Sequence, residues 1–275
     1  MIEAHYVEVG GSLSYVEVAG DGPAVLCVHT AGQSGVQWRH TTGDLAARGH
    51  RVVVPDLPGH GRSEPAPDGP VDDLGRYAEW LRRLISALDL DRPFVVGCSI
   101  GGKIALDLAT RWSDELSGVV AMAAEAGTGS VRVAGLQREL EDVAAASRTD
   151  RTYLGTLAVV GSALPPERAE LIAQMHRRED PVVSTSDLIG WGTHDVRDRL
   201  GAITCPTLLV AGEDDLWVDP ARVRATAADI PHASCVVLPG IGHYPMEEIV
   251  GFADVLHDWI RELQRASGPG ERGKA

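Results

Sequence analysis

Two hydrophobic patterns alternate along the chain. Short, nearly continuous apolar runs at 24–28, 51–54, 94–97, 116–124, 207–210 and 235–238 have no polar side, as expected of strands covered on both faces. Between them, apolar residues recur at helical spacing, most clearly over 74–88, and also at 37–47, 219–228 and 249–263. Two opening runs, 6–9 and 13–18, flank Gly10-Gly11 and predict an antiparallel hairpin. Strands alternating with helices imply a mostly parallel sheet flanked by helices, an α/β fold.

Residues 127–196 break this rhythm. They carry helical patterns, clearest at 136–146 and 167–178, and no convincing strand. An ordinary crossover needs only a dozen or more residues. The stretch therefore reads as a helical lid inserted before the penultimate strand, with a purely structural excursion as the alternative. The expected division is a core of 1–126 and 197–265, the lid of 127–196, and a disordered tail of 266–275 rich in glycine and charge.

Chemistry concentrates where the run ending at Gly97 turns at once into a helical pattern, Gly97-Cys98-Ser99-Ile100-Gly101. This Gly-x-Ser-x-Gly spacing lifts Ser99 above the sheet and aims the Ile100 amide and the helix N-terminus at the same point. A serine needs a base, and of ten histidines His243 lies in a glycine-rich loop directly after the last apolar strand. Glu213, Asp214 and Asp215 follow the penultimate strand at the same edge, so a carboxylate to orient the histidine is at hand. His29 and His60 read as structural hydrogen-bonders.

Together the His29-Thr30-Ala31-Gly32 loop, the run from Asp56 to Ser63 (Asp-Leu-Pro-Gly-His-Gly-Arg-Ser), the Ser99 elbow and the Gly212-to-Asp215 and Gly242-His243 pair resemble an α/β-hydrolase from about residue 13 to 263. The resemblance implies a Ser99–Asp215–His243 triad and Ala31 with Ile100 as oxyanion donors. It departs from the family pattern at Thr30, where glycine is usual. Some relatives take their acid from the position of Glu125, which stays open as the alternative to Asp215. Relatives that act on epoxides or haloalkanes use an aspartate nucleophile, so Ser99 argues against both. What remains is hydrolysis of an ester or lactone, then of a C–C bond in a diketone, then of an amide or peptide; a receptor-like binder with little turnover is the non-enzymatic alternative. A peptidase would want acids in the lid, for which Glu139, Glu141, Glu170 and Asp187 are candidates. Apolar lid residues imply a compact, largely apolar small-molecule substrate, with Trp38 and Trp191 as candidate contacts.

Composition narrows the partners. A net charge of −14 and no unopposed basic cluster speak against nucleic acid and anionic membranes. No apolar run reaches the length of a membrane span, and the N-terminus has no secretory pattern, so a cytoplasmic protein is expected. Cys27, Cys98, Cys205 and Cys235 are scattered and read as free thiols, with no metal site and no cofactor. A homodimer stays open.

Overall fold

The computed structural model describes residues 1–141 and 148–266. The opening hairpin pairs β1 (Ile2–Val9) with β2 (Ser12–Ala19) in antiparallel register, Ile2 opposite Ala19 and Val9 opposite Ser12. Next come β3 (Ala24–Val28), α1 (Thr42–Ala47), β4 (Arg51–Pro55), α2 (Leu74–Ala87), β5 (Phe94–Cys98), α3 (Ile100–Trp112) and β6 (Gly118–Met122). Among the described residues four helices follow: α4 (Val133–Glu141), α5 (Arg148–Val159), α6 (Pro166–His176) and α7 (Pro181–Thr193). The chain closes with β7 (Thr207–Gly212), α8 (Pro220–Ala228), β8 (Ala233–Leu238), the single turn α9 (Pro245–Glu248) and α10 (Phe252–Ala266). The strands form one sheet in the order β1-β2-β4-β3-β5-β6-β7-β8, parallel from β4 to β8.

Residues in β3, β5, β6 and β7 are buried at every position, which explains their unbroken apolar runs. Neighbours along a strand face opposite sides. Leu26, Val95, Val119 and Leu209 join the core beneath α2 and α3, whereas Val25, Val96, Val120 and Val210 join the one containing Phe252, Leu256 and Ile260 of α10. Helix starts are set by local chemistry. Asp73 caps α2 by accepting from the Gly75 amide, and Asp219 caps α8 ahead of Pro220.

The helix expected over 37–47 is split. Ser34 caps a 3₁₀ turn, Gly35–Trp38, and α1 starts only at Thr42, because His40 and Thr41 have little helix preference and Trp38 is drawn into the core. The insertion holds two helices, α5 and α7, that periodicity did not signal. The α7 sequence is rich in β-branched residues and glycine, yet its Asp180 cap on the Val182 and Val183 amides, Pro181 at the first turn and eight buried residues hold it helical. Residues 142–146 of the helix expected at 136–146, and 267–275 of the expected tail, lie outside the described residues.

Both roots of the insertion converge on one side chain. Lys103 Nζ, fully buried on α3, donates to the carbonyl of Gly127 at the outgoing root and to that of His194 at the returning one. The Val196 amide also donates to Ala126 O at 2.9 Å. Burial pulls the Lys103 amine down to about 8, against the pull of Glu125. Among the described residues the four cysteines are free, and no helix is long and apolar enough to cross a membrane.

Candidate active site

Leaving β5, the chain enters α3 through a single residue, Ser99, at φ +56° and ψ −118°. That conformation is strained for a residue with a Cβ and is stabilised here by the Ser99 amide on Met122 O and the Lys103 amide on Ser99 O. The flanking glycines are sterically required: a Cβ on Gly97 would lie 2.1 Å from Gly101 O, and one on Gly101 would lie 2.6 Å from Val28 O. Among the described residues no acceptor faces the Ile100 amide, which opens α3.

Adjacent strands deliver the partners. The Asp215 carboxylate, just beyond β7, accepts from the Trp217 and Val218 amides through Oδ1 (2.8 and 3.1 Å) and from His243 Nδ1 through Oδ2 (2.8 Å). Asp215 and His243 are 6% and 1% exposed. A carboxylate can only accept, so Nδ1 is the donor of this pair and Nε2 is the ring nitrogen left for another partner. Its loop is tied to the elbow strand, because Cys98 Sγ donates to His243 O at 3.1 Å, and to the insertion, because the His243 amide donates to Val159 O at 2.9 Å. The other two acids of the cluster do not meet the histidine. Asp214 caps the Ser162 amide, and Glu213 is exposed. Glu125 is turned to an ion pair with Arg222 beside buried Lys103, and burial raises its carboxyl.

Glu248 organises the histidine loop in a way the sequence reading missed. Its Oε2 accepts from the Gly161 and Gly242 amides at 2.8 and 2.7 Å, and its Oε1 from the Tyr244 amide at 2.9 Å. Trp217 was also missed. Its ring lies edge-on to His243 with centroids 4.8 Å apart and remains 43% exposed.

The loop after β3 supplies the second amide. Thr30 causes no strain where glycine is usual, since only Gly32 in this loop has a positive φ, +66°. Thr30 instead gives its amide and hydroxyl to Gln37 Oε1, and Gln37 is fixed in turn by Glu247 at 3.0 Å. The Ala31 amide meets no acceptor among the described residues. Beneath it, His29 donates from Nδ1 to Thr30 O and accepts the Leu57 amide at Nε2. That amide leaves no room for a proton, and burial together with the nearby His60 pulls His29 down to about 4. Burial also lowers His194 to about 4. Both histidines take up protons more readily once unfolded, so their stabilisation is complete above pH ~6.5 and is lost as pH falls toward 4. His29 alone corresponds to about 3 kcal/mol. Urea midpoints should therefore drop between pH 6.5 and 4; a loss confined to lower pH would refute this.

Three sequence expectations need correction. Trp38 does not line a site: it is fully buried on the far face of the sheet, its ring 6.3 Å from that of Phe252. Trp191 is a core residue, 7% exposed, and its ring presses so closely on Gly129 that a Cβ there would lie 2.4 Å away. Nor do Gly190 and Gly192 free it to move; they let Asp72 O and the Val131 side chain approach. Trp191→Ala should cost about 3–5 kcal/mol in urea unfolding. Activity per folded molecule should change equally for a small and a bulky ester, and a loss restricted to the bulky one would restore Trp191 as a contact. The third correction concerns the proposed amine-binding acids. Asp187 is fully buried and saturated by Tyr77, His60 and Gly32, Glu170 bonds Tyr153 and Gln174, and the side chains of Glu139 and Glu141 lie outside the described residues.

The fold agrees with the chain's relatives. Residues 23–248 match the alpha/beta hydrolase fold family. The chain is 29% identical to a pimeloyl-(acyl-carrier protein) methyl ester esterase of Xanthomonas campestris, covering 90% of this chain and 99% of that one. It is 28% identical to a 2-hydroxy-6-oxo-6-phenylhexa-2,4-dienoate hydrolase of Burkholderia cepacia over 84% of each. A thermophilic esterase from Thermogutta terrifontis superposes with a TM-score of 0.83 at 27% identity, covering 95% of this chain and 99% of that one. An eight-stranded, mostly parallel sheet, a strained serine between β5 and α3, and an acid and a histidine after the last two strands make this chain a member of the alpha/beta hydrolase fold family.

Proposed function

We propose that this chain is a serine hydrolase that cleaves an ester or lactone of a compact, largely apolar substrate through a covalent acyl-enzyme. The observation that carries the reading is the 2.8 Å contact of Asp215 with His243 Nδ1, on loops at the sheet edge where Ser99 stands in its strained turn. His243 Nε2 takes the Ser99 proton as Oγ attacks the carbonyl carbon. The Ala31 and Ile100 amides receive the developing oxyanion. Collapse of the tetrahedral intermediate breaks the C–O bond, and the imidazolium protonates the departing alkoxide. Water, deprotonated by His243, then attacks the acyl carbon and releases the acid with Ser99 regenerated. Only substrate and water enter these steps.

Residues 127–196 serve in this reading as the lid, since α5 ends against the histidine loop through Val159 O. Trp217, half-exposed beside His243, supplies an apolar wall in place of Trp38 and Trp191. The Burkholderia relative supports a second reading, hydrolysis of a C–C bond in a diketone. A panel of short and long p-nitrophenyl esters, lactones and a 2-hydroxy-6-oxodienoate, assayed with purified protein, separates the two. Short esters or lactones are expected to turn over fastest. Turnover of the dienoate alone would replace the ester reading, and turnover of none would favour a receptor-like binder.

A further inference from the structure

Buried carboxylates are expensive unless every lone pair is used, and Asp187, on α7 of the insertion, is fully buried. Its Oδ2 accepts from His60 Nε2 at 2.7 Å and from the Gly32 amide at 2.8 Å, and its Oδ1 accepts from the Tyr77 hydroxyl at 3.0 Å. His60 Nδ1 faces Pro58 O at 3.1 Å, so both ring nitrogens point at acceptors and the ring is held as an imidazolium. Burial draws His60 down, and the adjacent Asp187 charge more than offsets it, leaving it above the ordinary histidine value.

The Gly32 contact matters because of what lies one peptide away. The Ala31 amide shares its peptide plane with Thr30 O, which accepts from His29 Nδ1 at 2.9 Å and the Gln33 amide at 3.2 Å. On one side of that plane the Thr30 amide is anchored to Gln37, and on the other the Gly32 amide is anchored to Asp187. Because the peptide is planar and trans, fixing its carbonyl and both flanking amides fixes the direction of the Ala31 N–H. Three of these anchors, His29, Gln33 and Gln37, come from the chain directly after β3, but the fourth comes from the insertion. Gly32 is also clasped from outside: a Cβ on it would meet Glu179 and Ser184 of the insertion at 2.6 and 2.7 Å.

We infer that Asp187 is a positioning residue: the insertion, through the Asp187–Gly32 hydrogen bond backed by His60 and Tyr77, holds the Ala31 amide in the direction of the oxyanion. The inference rests on the proposed role of Ala31. It assigns the insertion a part in the chemistry besides covering it.

The test compares Asp187→Asn and Asp187→Ala with Asp180→Ala, which removes the cap of the same helix without touching the loop. Kinetics on an activated short-chain ester are read together with the rate at which a fluorophosphonate labels Ser99, a reaction that also places charge in the oxyanion site. Asp187→Asn keeps an acceptor but loses the charge, and it should lower kcat and the labelling rate together by about tenfold with KM within about threefold. Asp187→Ala should lower both by up to about a hundredfold. Asp180→Ala should lower the melting temperature with kcat unchanged. If the alanine variant does not fold, the asparagine variant decides. Wild-type kcat and labelling in a folded Asp187 variant, or a kcat loss in Asp180→Ala equal to that of Asp187→Asn, overturns the inference. Absence of turnover and of Ser99 labelling in the wild type overturns the hydrolase reading instead, so the two failures are distinguishable.

Discussion

Ser99→Ala is expected to abolish turnover, lowering kcat on the order of 10⁶-fold, because in the proposed mechanism every later step passes through the bond that its Oγ forms. The fold should not suffer. Ser99 sits at the tip of the turn rather than in a hydrophobic cluster, and the bonds that stabilise the turn belong to its backbone amide and carbonyl. Alanine adopts the same φ of +56° at much the same strain. The melting temperature should stay near that of the wild type, and intact-protein mass spectrometry should show fluorophosphonate addition to the wild type and none to the variant. An active Ser99→Ala, or a label on another residue, would remove the nucleophile from the scheme.

Asp215→Asn should cost on the order of 10⁴ in kcat. The geometry dictates the orientation of the new amide. Oδ1 is held by two backbone donors, Trp217 and Val218, so the asparagine oxygen has to remain there. Its NH₂ then faces His243 Nδ1, which must offer a lone pair and carry its proton on Nε2, the nitrogen that should be accepting the serine proton. The substitution therefore installs the wrong tautomer while keeping the loop intact. Glu125→Gln, aimed at Arg222 and Lys103, should leave kcat nearly unchanged. Pre-steady-state kinetics on an activated ester discriminate the pair, and the reverse ranking would transfer the acid role to Glu125.

The strands and the elbow were legible because each is written in contiguous residues, and the Asp215–His243 contact because both residues sit directly after strands. Runs such as Val95-Val96-Gly97 and the Gly-x-Ser-x-Gly spacing encode a buried strand and a tight turn locally, and the acid and histidine follow strand ends whose edge the topology fixes. The supports of the site were not legible. Glu248 looks like one of two surface acids in a short helix, yet it holds three amides of chain segments 87 and 6 or fewer residues away. Asp187 lies in a sequence with β-branched and glycine residues that does not announce a helix, and its partners are Gly32, His60 and Tyr77, all more than a hundred residues earlier. The tryptophans failed for the related reason that an aromatic side chain beside a loop carries no sign of which face of the sheet will take it. Trp38 went to the face opposite α2, and Trp217, in a loop with four acids, went to the histidine.

The buried ammonium of Lys103 makes the two roots of the insertion a single joint, which bears on how such a chain tolerates recombination. A chimera that exchanges residues 127–196 for the equivalent segment of a relative cuts the carbonyls of Gly127 and His194 away from a cation that stays behind on α3. Unless the incoming segment presents two carbonyls at the same places, that buried cation loses both acceptors and is left beside the Glu125 carboxylate, one helical turn from Ser99. Exchanging the insertion together with the helix that begins at the elbow, rather than the insertion alone, keeps Lys103 with the two carbonyls it binds.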